Sequence, residues 1–182
     1  MNGRLAMPAA CAFVLAACAV GDPRYPPAWE PLPAPASSSC RAFEASYSDR
    51  GEAGGQAGEA SLTREIFGPD SAWKRARRVD FDFHADDILE VIVWGDRGRL
   101  LSQAYSASAG EFACDAGRVR IRGKRWIAED MIMGREDFDI QFSLAGKYLV
   151  ARANVKTYGT MFLIVPVGAD ATHWYRFLRL AQ

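Results

Sequence analysis

The chain has 182 residues, of which 49% are apolar, 24% charged and 12% aromatic, with acidic and basic groups in equal number. This balance fits one globular domain around a single core and excludes a disordered chain. A formal net charge of zero removes the global electrostatic case for nucleic acid, and none is expected as a partner.

The N-terminus departs from the average. Met1 to Arg4 carries one positive charge, and Leu5 to Ala17 is then uncharged and apolar apart from Pro8, the pattern of an export signal. That run is shorter than the ~20 residues a membrane-spanning helix needs, and Gly21-Asp22-Pro23 follow without a stop-transfer pattern. It ends in Leu15-Ala16-Ala17-Cys18, which resembles the lipobox of bacterial lipoproteins. The resemblance implies cleavage before Cys18, a thioether from its sulfur to diacylglycerol, and usually acylation of the new amine. Two or more acyl chains make a stable anchor where one does not. Cys11 also follows two alanines, but Pro8 stands where the branched residue belongs. By the same resemblance, Ala19 after the modified cysteine favours transfer to the outer membrane, at its periplasmic face, if the source has two membranes.

Residues 18–39 read as a lipidated N-terminus and tether, since Pro23, Pro26, Pro27, Pro31, Pro33 and Pro35 forbid a helix. An extended proline-rich spacer gains about 3.1 Å per residue and would hold the domain several tens of ångströms from the lipid. With residues 1–17 taken as signal peptide and Cys18 as lipid site, Cys40 and Cys114 remain in the mature domain, 40–182. In an oxidising compartment such a pair is expected to form a disulfide.

Residues 40–48 read as a strand, and "DRGEAGGQAGEA" as a glycine-rich loop. "SLTREIF", residues 61–67, predicts a short helix closed by Gly68 and Pro69; residues 69–78 have no clear periodicity. Period-two patterns then follow closely. Val79, Phe81 and Phe83 alternate with Asp80, Asp82 and His84. "DILEVIVW" and "RLLSQAYSA" flank "GDRG", and "EFAC" and "RVRIRGKRWI" flank "DAG". "DFDIQFSL" and "KYLVARANVK" meet at Ala145-Gly146. A further turn is expected at Tyr158-Gly159 before "MFLIVPV", and "HWYRFLRL" closes the chain. The expectation is an all-β antiparallel meander of about 8–10 strands, which must hide its edges as a barrel or a sandwich. The order of lipobox, proline-rich spacer, Cys40 to Tyr47 entry strand, glycine-rich loop, "C-D-x-G" turn at Cys114 and C-terminal "W-Y-R-F" (Trp174 to Phe177) resembles small proteobacterial envelope lipoproteins that carry no assigned activity.

Chemistry-bearing constellations are sparse. Asp80, Asp82, His84 and Asp86 share one face of an extended strand and are weak candidates for a divalent cation, because same-face neighbours nearly 7 Å apart do not close a coordination shell. Arg118, Arg120 and Arg122 form an outward stripe that is a weak candidate for anionic groups and that Asp137, Asp139 or the Asp80 strand would neutralise. Neither His84 nor His173 lies in a zinc spacing, and no G-x-S-x-G is present. No cofactor and no enzyme activity is expected. The sequence predicts a noncatalytic interaction or structural module, bound to membrane by lipid and to an envelope protein as partner, or else a carrier or sensor holding an apolar or amphiphilic ligand inside a barrel.

Overall fold

The computed structural model describes residues 24–34, 39–54, 59–84, 87–129, 132–161 and 165–181. Its strands are β1 (Ala45–Ala53), β2 (Glu59–Ser61), β3 (Ala76–His84), β4 (Ile88–Gly95), β5 (Gly98–Ser106), β6 (Phe112–Asp115), β7 (Arg118–Glu129), β8 (Ile132–Ala145), β9 (Tyr148–Met161) and β10 (Val165–Arg179). Among the described residues one α-helix, α1 (Leu62–Phe67), stands between β2 and β3. All pairings are antiparallel, in the order β5-β4-β3-β1-β10-β9-β8-β7-β6, with β2 beside β1. Two meanders, β3–β5 and β6–β10, are therefore joined through β1, and the sheet curls into one nearly closed barrel. Its two edges, β5 and β6, are consecutive in the chain.

Alternation sets which side chains fill this barrel. Val79, Phe81 and Phe83 of β3 are buried between outward Asp80, Asp82 and His84, and Leu89, Val91 and Val93 of β4 follow the same phase. From the other meander come Val119, Ile121, Phe138, Ile140, Phe142, Leu149, Ala151 and Phe177. Phe81 meets Tyr47 and Phe142 edge-on, with ring centroids 5.5 and 5.3 Å apart, and Phe83 meets Phe112 at 6.3 Å. Burying each of these large side chains contributes about 1.5–3 kcal/mol, so the alternation is the main source of stability.

Several boundaries differ from the sequence expectation. Residues 40–43 form a 3-10 turn capped by Ser39, and β1 runs from Ala45 into the glycine-rich stretch as far as Ala53. A second 3-10 turn, Ser71–Arg75, precedes β3. No turn breaks the chain at Tyr158-Gly159: β9 continues to Met161, and β10 is one strand of 15 residues that absorbs both "VPV" and "HWYRFLR". Gly159 packs against Gly134 across the strands, where an added Cβ would lie 2.6 Å from the Met133 carbonyl oxygen, so this glycine serves close backbone approach rather than a turn. The hairpin between β6 and β7 does turn at Ala116 and Gly117, both left-handed at φ 47° and 70°.

The four long strands overhang the shorter ones. β10 pairs with β1 only from Tyr175 onward, and β7 pairs with β6 only up to Ile121. Beyond those points β7–β10 continue as a four-stranded sheet, closed over at the barrel mouth by α1. Asp49 of β1, fully buried, accepts from the Ser61 hydroxyl at 3.0 Å and from the Thr63 amide at 2.8 Å, and Ser61 in turn caps α1 by accepting from the Arg64 amide.

Where the proline-rich stretch is described, it lies against the barrel rather than apart from it. Tyr25 packs edge-on to Trp174 at 5.1 Å, Arg176 lies over the Trp29 ring at 5.0 Å, and Pro26 abuts Gly54. Cys40 and Cys114 are disulfide-bonded, with Cα atoms 6.0 Å apart, and tie the entry turn to β6.

Reduction or Cys114→Ser should lower stability by about 4 kcal/mol for a loop of 74 residues in the chain-entropy account, read as a shift of the urea midpoint with an unchanged slope. Asp49→Ala, which leaves the Thr63 amide and the Ser61 hydroxyl without their acceptor, should cost about 1–3 kcal/mol in the same assay.

Candidate functional site

The inward phase that buries Val119 and Ile121 on β7 continues to Gly123, Arg125 and Ile127. On β8 the same phase runs from Phe142 through Phe138 to Glu136, on β9 to Val155 and Thr157, and on β10 from Phe177 to Tyr175 and His173. Where the barrel opens into the overhang, its interior therefore changes from apolar to polar. Beneath α1 the side chains of Arg125, Ile127, Glu136, Val155, Thr157, His173 and Tyr175 line a cavity of 260 Å³ with Arg64, Glu65, Pro69, Ala169 and Ala171.

Arg125 organises the cavity. Its guanidinium bonds the Glu136 carboxylate through Nε and Nη2, each at 2.6 Å, and donates from Nη1 to the Glu65 carbonyl oxygen of α1 at 2.7 Å. It also lies over the Phe138 ring, 4.9 Å from the centroid. Both partners of the ion pair are largely buried, so a lost partner would leave an uncompensated charge. Thr157 donates weakly to the other Glu136 oxygen at 3.4 Å. His173 stacks on Tyr175, with ring centroids 6.1 Å apart.

Burial pushes the Glu65 carboxyl up to about 7, against the opposing pull of Arg125, the Tyr175 hydroxyl and Arg64, with Glu136 adding to the rise. Burial also raises Tyr175 well above an ordinary phenol and lowers His173, which is neutral at pH 7. The cavity thus holds the Arg125–Glu136 ion pair, the Arg64 cation, a neutral imidazole, a neutral phenol and a carboxyl near its midpoint. Such a lining accepts a small polar group through several hydrogen bonds and one aromatic face.

The sequence-derived candidates fall elsewhere. Cys18 and Asp86 lie outside the described residues. Asp80 accepts from the Trp94 indole at 2.7 Å and pairs with Arg78 at 3.0 Å. Asp82 and His84 do converge, and their third member is Glu90, opposite Asp82 on β4. His84 Nε2 lies 2.7 Å from Glu90 and 3.8 Å from Asp82, while Ser102 donates to the other Glu90 oxygen. The two carboxylates raise the His84 pKa, and Glu90 is lowered by its bonds from Ser102 and His84. This is an exposed ion-paired patch whose ligand-type atoms lie within 4.8 Å of one another.

The arginine stripe faces outward as expected and is interleaved with acid. Arg120 forms a two-point bond to Asp139, and Arg118 stands opposite Asp115. Arg122 borders a surface groove that also contains Lys124, Asp137, Asp139 and Lys156. The face is mixed in sign rather than a basic patch.

Of the cavity residues, the sequence marks Pro69 as the stop of α1 and His173 as a histidine outside any zinc spacing, and neither points to a polar cavity. Arg125 and Glu136 carried a usable signal: each occupies an inward position in a strand whose other inward residues are apolar. No family model, no curated protein and no solved structure matches this chain.

The Glu65 carboxyl binds its proton more tightly folded than unfolded, so stability that is full below about pH 4.5 should decline as pH rises through about 7. Glu65→Gln mimics the protonated form and should remove this decline: near-wild-type stability at pH 5, greater stability than wild type at pH 8, measured by urea unfolding at both values.

Proposed function

We propose that this protein is a lipid-anchored envelope protein, exported by its N-terminal segment, acylated on Cys18 and held at the periplasmic face of the outer membrane. Its barrel acts there as a noncatalytic interaction module. The observation that carries this reading is the Cys40–Cys114 bridge. Once Cys11 goes with the signal and Cys18 with the anchor, the two remaining cysteines are bonded to each other, in keeping with an oxidising compartment.

The interior supports a module over a carrier of apolar ligands. Tyr47, Phe81, Phe142 and Phe177 fill the barrel, and the space that remains beneath α1 is small and polar. Its hydrogen-bonding lining suits a small polar group presented by an envelope partner, such as sugar hydroxyls. For catalysis the histidines are poorly placed: His84 is committed to Glu90 on the outer face, and His173 rests neutral against Tyr175.

Fatty-acid labelling in a bacterial host tests the anchor. The wild type and Cys11→Ser should incorporate label equally, and Cys18→Ser should lose it; equal incorporation by Cys18→Ser overturns the reading.

A further inference from the structure

The overhanging end of β7–β10 presents its outer face in three successive cross-strand rows. Nearest the strand ends are Ala128, Met133, Thr160 and Pro166; next come Trp126, Arg135, Tyr158 and Gly168; then Lys124, Asp137, Lys156 and Asp170. Trp126 is 81% exposed, Met133 53% and Tyr158 50%, the most exposed large hydrophobic side chains among the described residues. All three lie within these first two rows. Arg135 lies over the Tyr158 ring, 5.8 Å from its centroid, and pairs with Asp137 in the row behind. An apolar end, a Trp/Tyr row and then a charged row is the sequence of chemistries met on passing from acyl chain through interface to water.

The packed part of the N-terminal segment leads toward the same end. Glu30 lies against Gly146, in the turn between β8 and β9. Trp29 lies beneath Arg176, and Tyr25 against Trp174. From Glu30 back to Tyr25 the chain thus climbs β10 from its C-terminal end toward Val165. Arg24, the first described residue, follows Cys18 by six positions, a span of at most about 20 Å. From Trp174 to Gly168, in the Trp126 row, is also six residues of strand, about 20 Å. A lipid on Cys18 can therefore reach the level of Trp126 and Tyr158, and little further.

We propose that the overhanging end of the barrel seats on a phospholipid leaflet, with Met133 at acyl depth and Trp126 and Tyr158 at the headgroup level, beside the lipid carried by Cys18. The proposal takes the anchor of the preceding section as its premise for orientation. The contact is apolar and aromatic, and the row behind it alternates in sign, so it depends weakly on salt and on anionic lipid. The barrel mouth and α1 are then held close to the membrane rather than displayed at the end of a long spacer.

The test uses the mature acylated protein in phosphatidylethanolamine/phosphatidylglycerol vesicles containing lipid brominated in the upper acyl chain. Bromolipid should quench tryptophan fluorescence, and Trp126→Phe should remove most of that quenching although four other tryptophans remain. Equal quenching in both proteins overturns the proposal. In parallel, the mature chain carrying Cys18→Ser should partition onto the same vesicles. Trp126→Ser/Met133→Ser/Tyr158→Ser in that chain should weaken partitioning by about tenfold or more, whereas Leu178→Ser, an exposed apolar residue at the other end of β10, should not. Loss from both variants alike, or from neither, overturns the proposal, as does lipid-free self-association that the triple substitution abolishes. Vesicle binding of the Cys18→Ser chain through Trp126 would stand even if labelling showed no lipid on Cys18, so the two readings fail separately.

Discussion

The architecture depends on β1. The meander β3–β5 and the meander β6–β10 are each locally paired, but they meet only because β1 inserts between β3 and β10. Tyr47 on this strand is fully buried against Phe81 and donates its hydroxyl to the Phe43 carbonyl at 2.9 Å, which fixes the entry turn. Two positions on, Asp49 carries the start of α1. The disulfide then holds the turn preceding β1 to β6 at the edge of the sheet, so the strand that joins the two meanders is also tied covalently to the far edge. Non-local pairing of this kind is entropically expensive before it is rewarded, and the covalent link lowers that cost once it has formed.

This closure determines where polar groups can stand. In the closed section the inward positions have neighbours on all sides and are filled mainly by Phe, Ile, Leu, Val, Ala and Tyr, with Asp49 as a buried acid bonded to Ser61 and the Thr63 amide. Past Tyr175 on β10 and Ile121 on β7 the barrel wall is missing on one side, and inward positions can carry Arg125, Glu136, Thr157 and His173. The polar cavity therefore follows from unequal strand lengths, with α1 as its cover. Arg125 couples the two: it neutralises Glu136 below and bonds the backbone of α1 above. The covering helix is only six residues long; Leu62 and Ile66 seat it in the core, and Asp49 and the Arg125 guanidinium bond its backbone.

The fold class was legible because alternation is strong where one face is buried. Val79-Phe81-Phe83 and Val119-Ile121 gave both strand and inward phase, and Ser61 with Gly68 bracketed the helix correctly. The errors share a cause. Gly159 looked like a turn because sequence does not distinguish a glycine that permits a bend from one that lets Gly134 approach across a strand pair. Strand order was hidden, since nothing local in Ala45–Ala53 reveals that β1 joins two distant meanders. For the same reason the Asp82–His84 pair was visible but Glu90 was not: its proximity arises from the register of β3 with β4. The polar cavity was missed because Arg125 reads as one more member of a basic run until the inward phase is carried past Gly123.

We propose export, lipidation at Cys18 and one internal disulfide as features of a single mature protein, and the intact mass of the chain purified from the envelope without reductant reads all three at once. The expected mass is that of a chain starting at residue 18, heavier by diacylglycerol and acyl groups and two hydrogens lighter than its reduced form. An unmodified N-terminus, or a mass unchanged on reduction, overturns the proposal.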